Sequence, residues 1–283
     1  MSEIETLEAE GLERVYGAFM EAFSDYSVPV SWSFEEFRAS CLRRGVDLSI
    51  SLGAREEGRL VGFVLNGRGT WAGAPAAYDA GTGVLPAARG SGLAGRMAER
   101  ILEILPALGI RRYVLEVIRD NLPAFRTYVK AGFEVTRSLE CPGGVFADPG
   151  RTAQPGLEVG EPGRERLDAG AAVARRDWEP SWQNSDESVR RAVEPLVVLE
   201  ARLAGRSAGH LVASRNGTIW QLAVDRDLRG RGIGTALLRT LASRLGPSIR
   251  YVNVQADDEA TLGLLVACGI GPGVGQYEMI REI

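Results

Sequence analysis

Histidine is almost missing from this 283-residue chain; the single copy is His210. With no histidine or cysteine partners nearby, it does not read as a metal ligand, and no metal is expected. Cysteine is nearly as scarce. Cys41, Cys141 and Cys268 are scattered, odd in number and form no Cys-x-x-Cys pair, so neither a zinc site nor a disulfide framework is indicated. The balance of 33 Lys and Arg against 37 Asp and Glu leaves a net charge of −4, which argues against a general grip on nucleic acid. No apolar run approaches the ~18 residues of a membrane span. The first residues, MSEIETLEAEGLERVYGAF, are acidic and amphipathic, unlike a signal peptide, and point to the cytoplasm. What remains is soluble-globular composition, 45% apolar and 25% charged, on a chain long enough for two domains.

The chain repeats itself. RGSGLAGRM (Arg89–Met97) and RGRGIGTALL (Arg229–Leu238) each follow an apolar stretch and open onto a helical pattern. Leu93, Met97, Ile101 and Leu105 recur at fours, as do Ile233, Leu237, Leu241 and Leu245, so each segment is predicted to bury one helical face. RRYVLEV and IRYVNVQ then read as core strands, and each is followed by a second helix ending at Gly132 or Gly269. EEGRLVGFVL and LAGRSAGHLV both read as hairpins. Between the copies, CPGGVFADPGRTAQPG is rich in Pro and Gly and lacks periodicity, as a linker does. The expected division is a module over 1–145, a linker over 146–155 and a second module over 156–283.

A glycine loop before a helix leaves backbone amides unpaired, lets the chain curl closely, and adds the positive end of the helix dipole. An anion such as phosphate suits it, and Arg89, Arg229 and Arg231 could add charge-assisted bonds. The bland alternative is a tight turn in which glycine serves only a positive φ. Gly90 to Gly95 spells GxGxxG, with Glu116 at 21 residues beyond, yet five residues separate these glycines from the strand and the second loop has Thr235 in the third glycine's place. A dinucleotide fold is therefore rejected. A P-loop is rejected too, since no Lys-Ser or Lys-Thr follows. GRSAG (Gly205–Gly209) mimics a nucleophile elbow, but a strand follows it and no separate histidine exists for a triad.

The pattern common to both loops is Arg-x-x-Gly-x-Gly/Ala: Arg89, Gly92, Ala94 and Arg229, Gly232, Gly234. Together with LEVIRDNLPAFRTYVKAGF downstream, it resembles the GNAT superfamily of acyl-CoA-dependent N-acetyltransferases. The resemblance covers nearly the whole chain. It implies an α/β fold of two tandem modules, each a mixed, mostly antiparallel, splayed sheet flanked by helices. It also implies acetyl-CoA as donor and a small-molecule or peptide primary amine as acceptor. Arg89, Gly90, Ser91, Gly92, Leu93 and Ala94, and in the second copy Arg229, Gly230, Arg231, Gly232, Ile233 and Gly234, would then hold the pyrophosphate. Val84 and Val224 would offer backbone groups to the pantetheine and thioester, beside a bulge suited to the glycines of DAGTGV. Tyr128 matches the family's acid for the departing thiolate; its alternative is a core aromatic sharing a face with Leu122 and Phe125. Asn121 is a helix N-cap, a cofactor contact, or both.

For a base, Asp79 and Glu116 are candidates on neighbouring strands, or else solvated strand-end charges. The family binds its amine with the early helices, here through Glu21, Asp25 and Tyr26, which otherwise form an exposed helix end. The second copy has Leu265 where Tyr128 stands and no carboxylate at the position of Glu116. The expectation is an N-acetyltransferase with direct amine attack on the thioester and turnover in the first module. The alternatives are turnover in the second module or a non-catalytic acyl-CoA-binding sensor.

Overall fold

The computed structural model describes residues 2–25, 30–151, 153–162 and 175–283. The chain divides into two compact units. One comprises Met1–Thr136, Glu187–Val193 and Tyr277–Ile283; the other comprises Arg137–Asp186 and Glu194–Gln276. Residues 146–151 and 153–156 carry no helix or strand.

In the first unit, β1 (Glu3–Thr6), helices α1 (Leu12–Ala22) and α2 (Phe34–Arg44), β2 (Leu52–Glu56), β3 (Arg59–Trp71), β4 (Ala74–Val84), α3 (Leu93–Ile104), β5 (Arg112–Ile118) and α4 (Leu122–Lys130) follow in order. The strands lie in the order β1-β2-β3-β4-β5; all these pairings are antiparallel except β4 with β5. The hairpin read in EEGRLVGFVL turns at Glu57 and Gly58, both at positive φ. Helix α2 begins with a capping box between Ser33 and Glu36 and stops at left-handed Gly45. One sheet face carries α1 and α2, with Phe19 and Phe37 of these helices packed on Phe63 and Leu65. The other carries α3 and α4, with Leu93, Met97 and Ile101 buried at the predicted spacing, each worth about 1.5–3 kcal/mol.

The second unit repeats this plan. β6 (Glu134–Val145) enters it after Thr136, followed by β7 (Leu157–Gly160), β8 (Leu196–Leu203), β9 (Arg206–Ser214), β10 (Thr218–Val224), α6 (Ile233–Leu245), β11 (Ser248–Tyr251), β12 (Val254–Gln255), α7 (Glu259–Ala267) and the first part of β13 (Ile270–Glu282); the short helix α5 (Asp186–Arg191), all but its first residue, and the last residues of β13 belong to the first unit. Its order is β7-β8-β9-β10-β11-β6, again parallel only at β10 with β11. IRYVNVQ, expected as one strand, is two. Asn253 between them takes φ 60°, its amide donating to Ser181 Oγ (3.1 Å) and accepting from Gln276 (3.0 Å), and this buried turn ends the ladder. Ser207 of the GRSAG decoy lies in β9, donating to Glu200.

The sixth strand of each unit's run comes from elsewhere in the sequence. β6 pairs with β11, and the last residues of β13 stand beside β5. The Ile283 amide donates to the Arg111 carbonyl (2.8 Å), Arg112 holds Glu282 (2.7 Å), and Met279 is fully buried in the first unit's core. Met279→Ala should therefore cost the first unit about 2–5 kcal/mol, although the residue lies about 150 positions beyond the rest of its core. Urea unfolding followed through first-unit probes checks this; an unshifted transition would contradict the assignment.

Candidate active site

In each unit the parallel pair of strands separates partway along. The β4–β5 ladder ends at Asp79 opposite Leu115. One residue on, β4 bulges: Asn66 of β3 faces Asp79 and Leu65 faces Gly81, which leaves Ala80 extra. DAGTGV thus carries the expected bulge, at Ala80 and not at one of its glycines. Arg44, from the last turn of α2, donates to the bulged Ala80 carbonyl (3.1 Å) while stacking over Trp32. Nothing in the sequence pattern marked Arg44, because its partner is a main-chain atom. The β10–β11 ladder ends at Ile219 opposite Tyr251, and the bulge there is Trp220.

Beyond each parting strand the two glycine loops share one geometry. A single 3-10 turn leads to an extended arginine (Arg89, φ −67°; Arg229, φ −64°), then left-handed Gly90 or Gly230, and a left-handed glycine N-cap at Gly92 (φ 74°) or Gly232 (φ 79°). Helices α2, α4 and α7 are capped by Ser33, Asn121 and Asp258 side chains; α3 and α6 have no side-chain cap. Their first-turn amides are left to solvent or to a ligand, as an anion site needs.

The loop arginines do something other than expected. Arg89 holds both oxygens of Asp25 (2.6 and 2.8 Å), the Ala22 carbonyl (2.8 Å) and the Val84 carbonyl (3.1 Å). Arg229 matches it with Asp177 (2.5 Å) and the Val224 carbonyl (3.2 Å). Both are struts between the loop and the preceding segment. Arg231 is exposed and pairs with no described residue. The acidic mouth drawn from Glu21 and Asp25 is correspondingly neutralised: Glu21 binds Arg59 (2.7 and 2.8 Å), and the bond from Arg89 holds the Asp25 carboxyl below its ordinary range. Tyr26 lies outside the described residues.

The first unit's cleft, about 700 Å³, is lined by Val84, Arg89, Gly90, Gly92, Leu93, Ala94, Asn121, Thr127, Tyr128 and Asp79. Asn121 caps α4 (Ala124 amide, 3.3 Å) and lines the cleft as well. The Tyr128 ring packs edge-on against Phe133, while its hydroxyl donates to Asp79 Oδ2 (2.9 Å). Asp79 also accepts from Thr82 (2.7 Å) and the Gly81 amide (2.9 Å). Burial pushes its carboxyl up, against these bonds. Glu116 is not brought here. Strand alternation puts Ala77, Asp79, Tyr113 and Leu115 on the α3–α4 face, and Tyr78, Val114 and Glu116 on the α1–α2 face, where Tyr78 donates to Glu116.

The second unit's cleft is smaller, about 330 Å³. Leu264 leans onto Gly234, 2.5 Å from where a Cβ would sit; the first unit has Thr127 and Ala94 at these places. Leu265, in place of Tyr128, is buried in the core. Among the described residues no cluster of His, Cys, Asp or Glu could hold a metal, and no helix is long and apolar enough to cross a membrane.

Two parting pairs of parallel strands, each opening beside an uncapped helix that follows a glycine loop, define a tandem acyltransferase-type fold. The sequence profile described as the acetyltransferase (GNAT) family matches residues 12–133 and 167–270, and the chain belongs to that family. Its fold is shared with a GCN5-related N-acetyltransferase from Sphaerobacter thermophilus (TM-score 0.73, 17% identity, 99% of this chain and 95% of that one). It is also that of a tandem GNAT protein from the clavulanic acid biosynthesis pathway (0.73, 15%, 100% and 98%). A glucosamine N-acetyltransferase region in a fungal multi-domain GH3 β-N-acetylglucosaminidase matches too (0.77, 15%, 99% of this chain), and there the chain spans 38% of the longer protein. A comparison with curated proteins gave no match.

Asp79 supplies a pH test. Its folded pKa is raised, so its ionised form opposes folding at neutral pH, and that penalty fades as pH falls through the folded value. The stability of wild type relative to Asp79→Asn should rise on acidification from about pH 7 towards about pH 4. Parallel urea titrations measure it, and a flat or falling difference would contradict the burial argument.

Proposed function

We propose that the protein transfers an acetyl group from acetyl-CoA to a primary amine, with turnover in the first unit. The observation that carries this reading is the Tyr128–Asp79 bond inside the cleft onto which the α3 loop opens. The amides of Gly90 to Ala94 fit a pyrophosphate, since no side chain caps them. The arginine struts leave the charge stabilisation to backbone and dipole. Bound acetyl-CoA would supply an activated thioester, threaded where β4 leaves β5.

In the reaction the amine nitrogen forms a bond to the carbonyl carbon, and the carbon–sulfur pair leaves on sulfur. Tyr128 gives its proton to that sulfur. Asp79, as a positioning residue, fixes the phenol oxygen at the cleft wall. The amine arrives from the α1–α2 face, where Glu116, oriented by Tyr78, takes its proton. Placing acid and base on opposite faces keeps the two proton tasks apart. The second unit, with Leu265 for Tyr128, holds a ligand without this chemistry.

Tyr128→Phe should lower kcat by about 10²–10⁴ while acetyl-CoA affinity, measured by calorimetry, is unchanged; an undiminished rate would remove Tyr128 as the acid. Gly92→Glu should abolish donor binding to the first unit, since it adds charge and a side chain at φ 74°. Calorimetric stoichiometry of wild type, Gly92→Glu and Gly232→Glu counts the loops that bind. Full binding in both variants would refute the loop's role.

A further inference from the structure

His210 sits in β9 and is 1% exposed, yet among the described residues neither ring nitrogen has a hydrogen-bond partner. It lines the second unit's cleft. Its register partner is Ala223, as Phe63 is partner to Gly83 in the first unit. There Phe63 is sealed among Phe19 and Phe23. The second unit therefore replaces a sealing phenyl ring with an imidazole and lets the cleft reach it. A buried imidazole without partners is unfavourable by itself, which marks the place for a polar group of a ligand.

The surroundings select the group. Arg175 and Arg176 line the same cleft, the first held by Asp225 (2.6 Å) and Ser207 (2.8 Å), the second by Asp186. Gln221 donates to the Asn184 carbonyl (2.7 Å) and to Asp186 (3.0 Å). Glu200, opposite His210 across β8, is taken up by Ser207 and Arg202. Burial, then Arg176 and Arg175, push the imidazole down to about 3, with Asp186 opposing. Asp177 and Asp258 also line the cleft, but the first is held by Arg229 and Arg226 and the second accepts from Trp178 and the Thr261 amide. The site thus repels a proton while presenting an N–H donor in a recess where Arg176 and Arg175 outweigh Asp186. An anionic oxygen reverses each unfavourable element: it accepts from the imidazole and lowers the local potential.

We propose that the second unit's cleft binds a carboxylate-bearing small molecule, anchored on His210 between Arg175 and Arg176. The carboxylate has two sources, the free end of a dicarboxylyl thioester or a free carboxylic acid. The inference is independent of turnover in the first unit.

Because the chain has one histidine, its imidazole gives one isolated set of nitrogen and carbon-bound proton NMR signals. Titration of the full chain with succinate, succinyl-CoA and acetyl-CoA reads the site directly. The imidazole signals should move saturably with succinyl-CoA or succinate, and its apparent pKa should rise by about 1 to 3 pH units. Movement with succinyl-CoA alone assigns the thioester source, and movement with succinate assigns the free acid. His210→Phe, which restores the first unit's residue, should weaken carboxylate binding about 10- to 100-fold, the range for losing a hydrogen bond to a charged group. Its thermal unfolding should be unimpaired; if it fails to fold, Arg176→Gln in the histidine-containing chain gives the same affinity readout. Signals unmoved by both carboxylates, equal responses to acetyl-CoA and succinyl-CoA, or undiminished affinity in the folded variants would each overturn the proposal. The Tyr128→Phe rate and the glycine-variant stoichiometry bear on the first reading only, so the two can fail separately.

Discussion

Two parallel strands that stop pairing govern both sites. While β4 and β5 remain hydrogen-bonded, their facing edges are satisfied and nothing can pass between them. The bulge at Ala80 ends that arrangement, since one extra residue turns the strand and sets the following amides and carbonyls out of register with β5. Every later feature depends on this separation. It carries β4 towards the glycine loop, opens a slot from one sheet face to the other, and places Asp79 at the last paired position, where its side chain meets α4. Arg44 secures the arrangement from the opposite face by holding the bulged carbonyl.

The duplicated units show which parts of such a site are fixed by backbone geometry and which are free to change. The loops agree within a few degrees at Arg89 and Arg229, Gly90 and Gly230, Gly92 and Gly232. The strut from the arginine to a valine carbonyl is also repeated. The side chains at corresponding positions around the slot have diverged: Tyr128 against Leu265, Thr127 against Leu264, Asp79 against Ile219, Phe63 against His210. A glycine at positive φ cannot be replaced without strain, whereas a side chain at the cleft wall can be exchanged at the cost of cavity volume and hydrogen bonds alone. Unequal cleft volumes follow from that asymmetry.

Much of this was legible in the sequence because it rests on short-range rules. The fours of Leu93, Met97 and Ile101 gave α3, the Glu57-Gly58 and Ala204-Gly205 turns gave the hairpins, and the paired loops gave the duplication. Three features escaped. The sixth strand of the first unit is formed by residues at the far end of the chain, and no local pattern encodes a partner at that distance. The loop arginines looked like phosphate ligands because their charge was visible and their acidic partners, Asp25 and Asp177, were not. His210 was weighed only as a metal ligand or triad member, and its position opposite Ala223 depends on strand register.

Register also decides which sheet face each carboxylate takes. Asp79 and Glu116 stand on adjacent strands and looked interchangeable as bases, but parallel pairing matches Asp79 with Leu115, so Glu116 falls one residue out of phase and faces the other side. A single-residue shift of β5 would put both carboxylates on one face, where mutual repulsion would raise one pKa strongly and leave the opposite face without an acceptor for a proton. The observed phase gives each carboxylate its own tyrosine: Tyr128 donates to Asp79, and Tyr78 donates to Glu116. Two tyrosine–carboxylate pairs thus stand back to back across the end of one ladder, which is the arrangement the proposed reaction uses to serve nucleophile and leaving group from opposite sides. The second unit has neither pair, and its cleft is lined instead by His210 with Arg175, Arg176, Gln221, Asp177 and Asp258 among its polar groups.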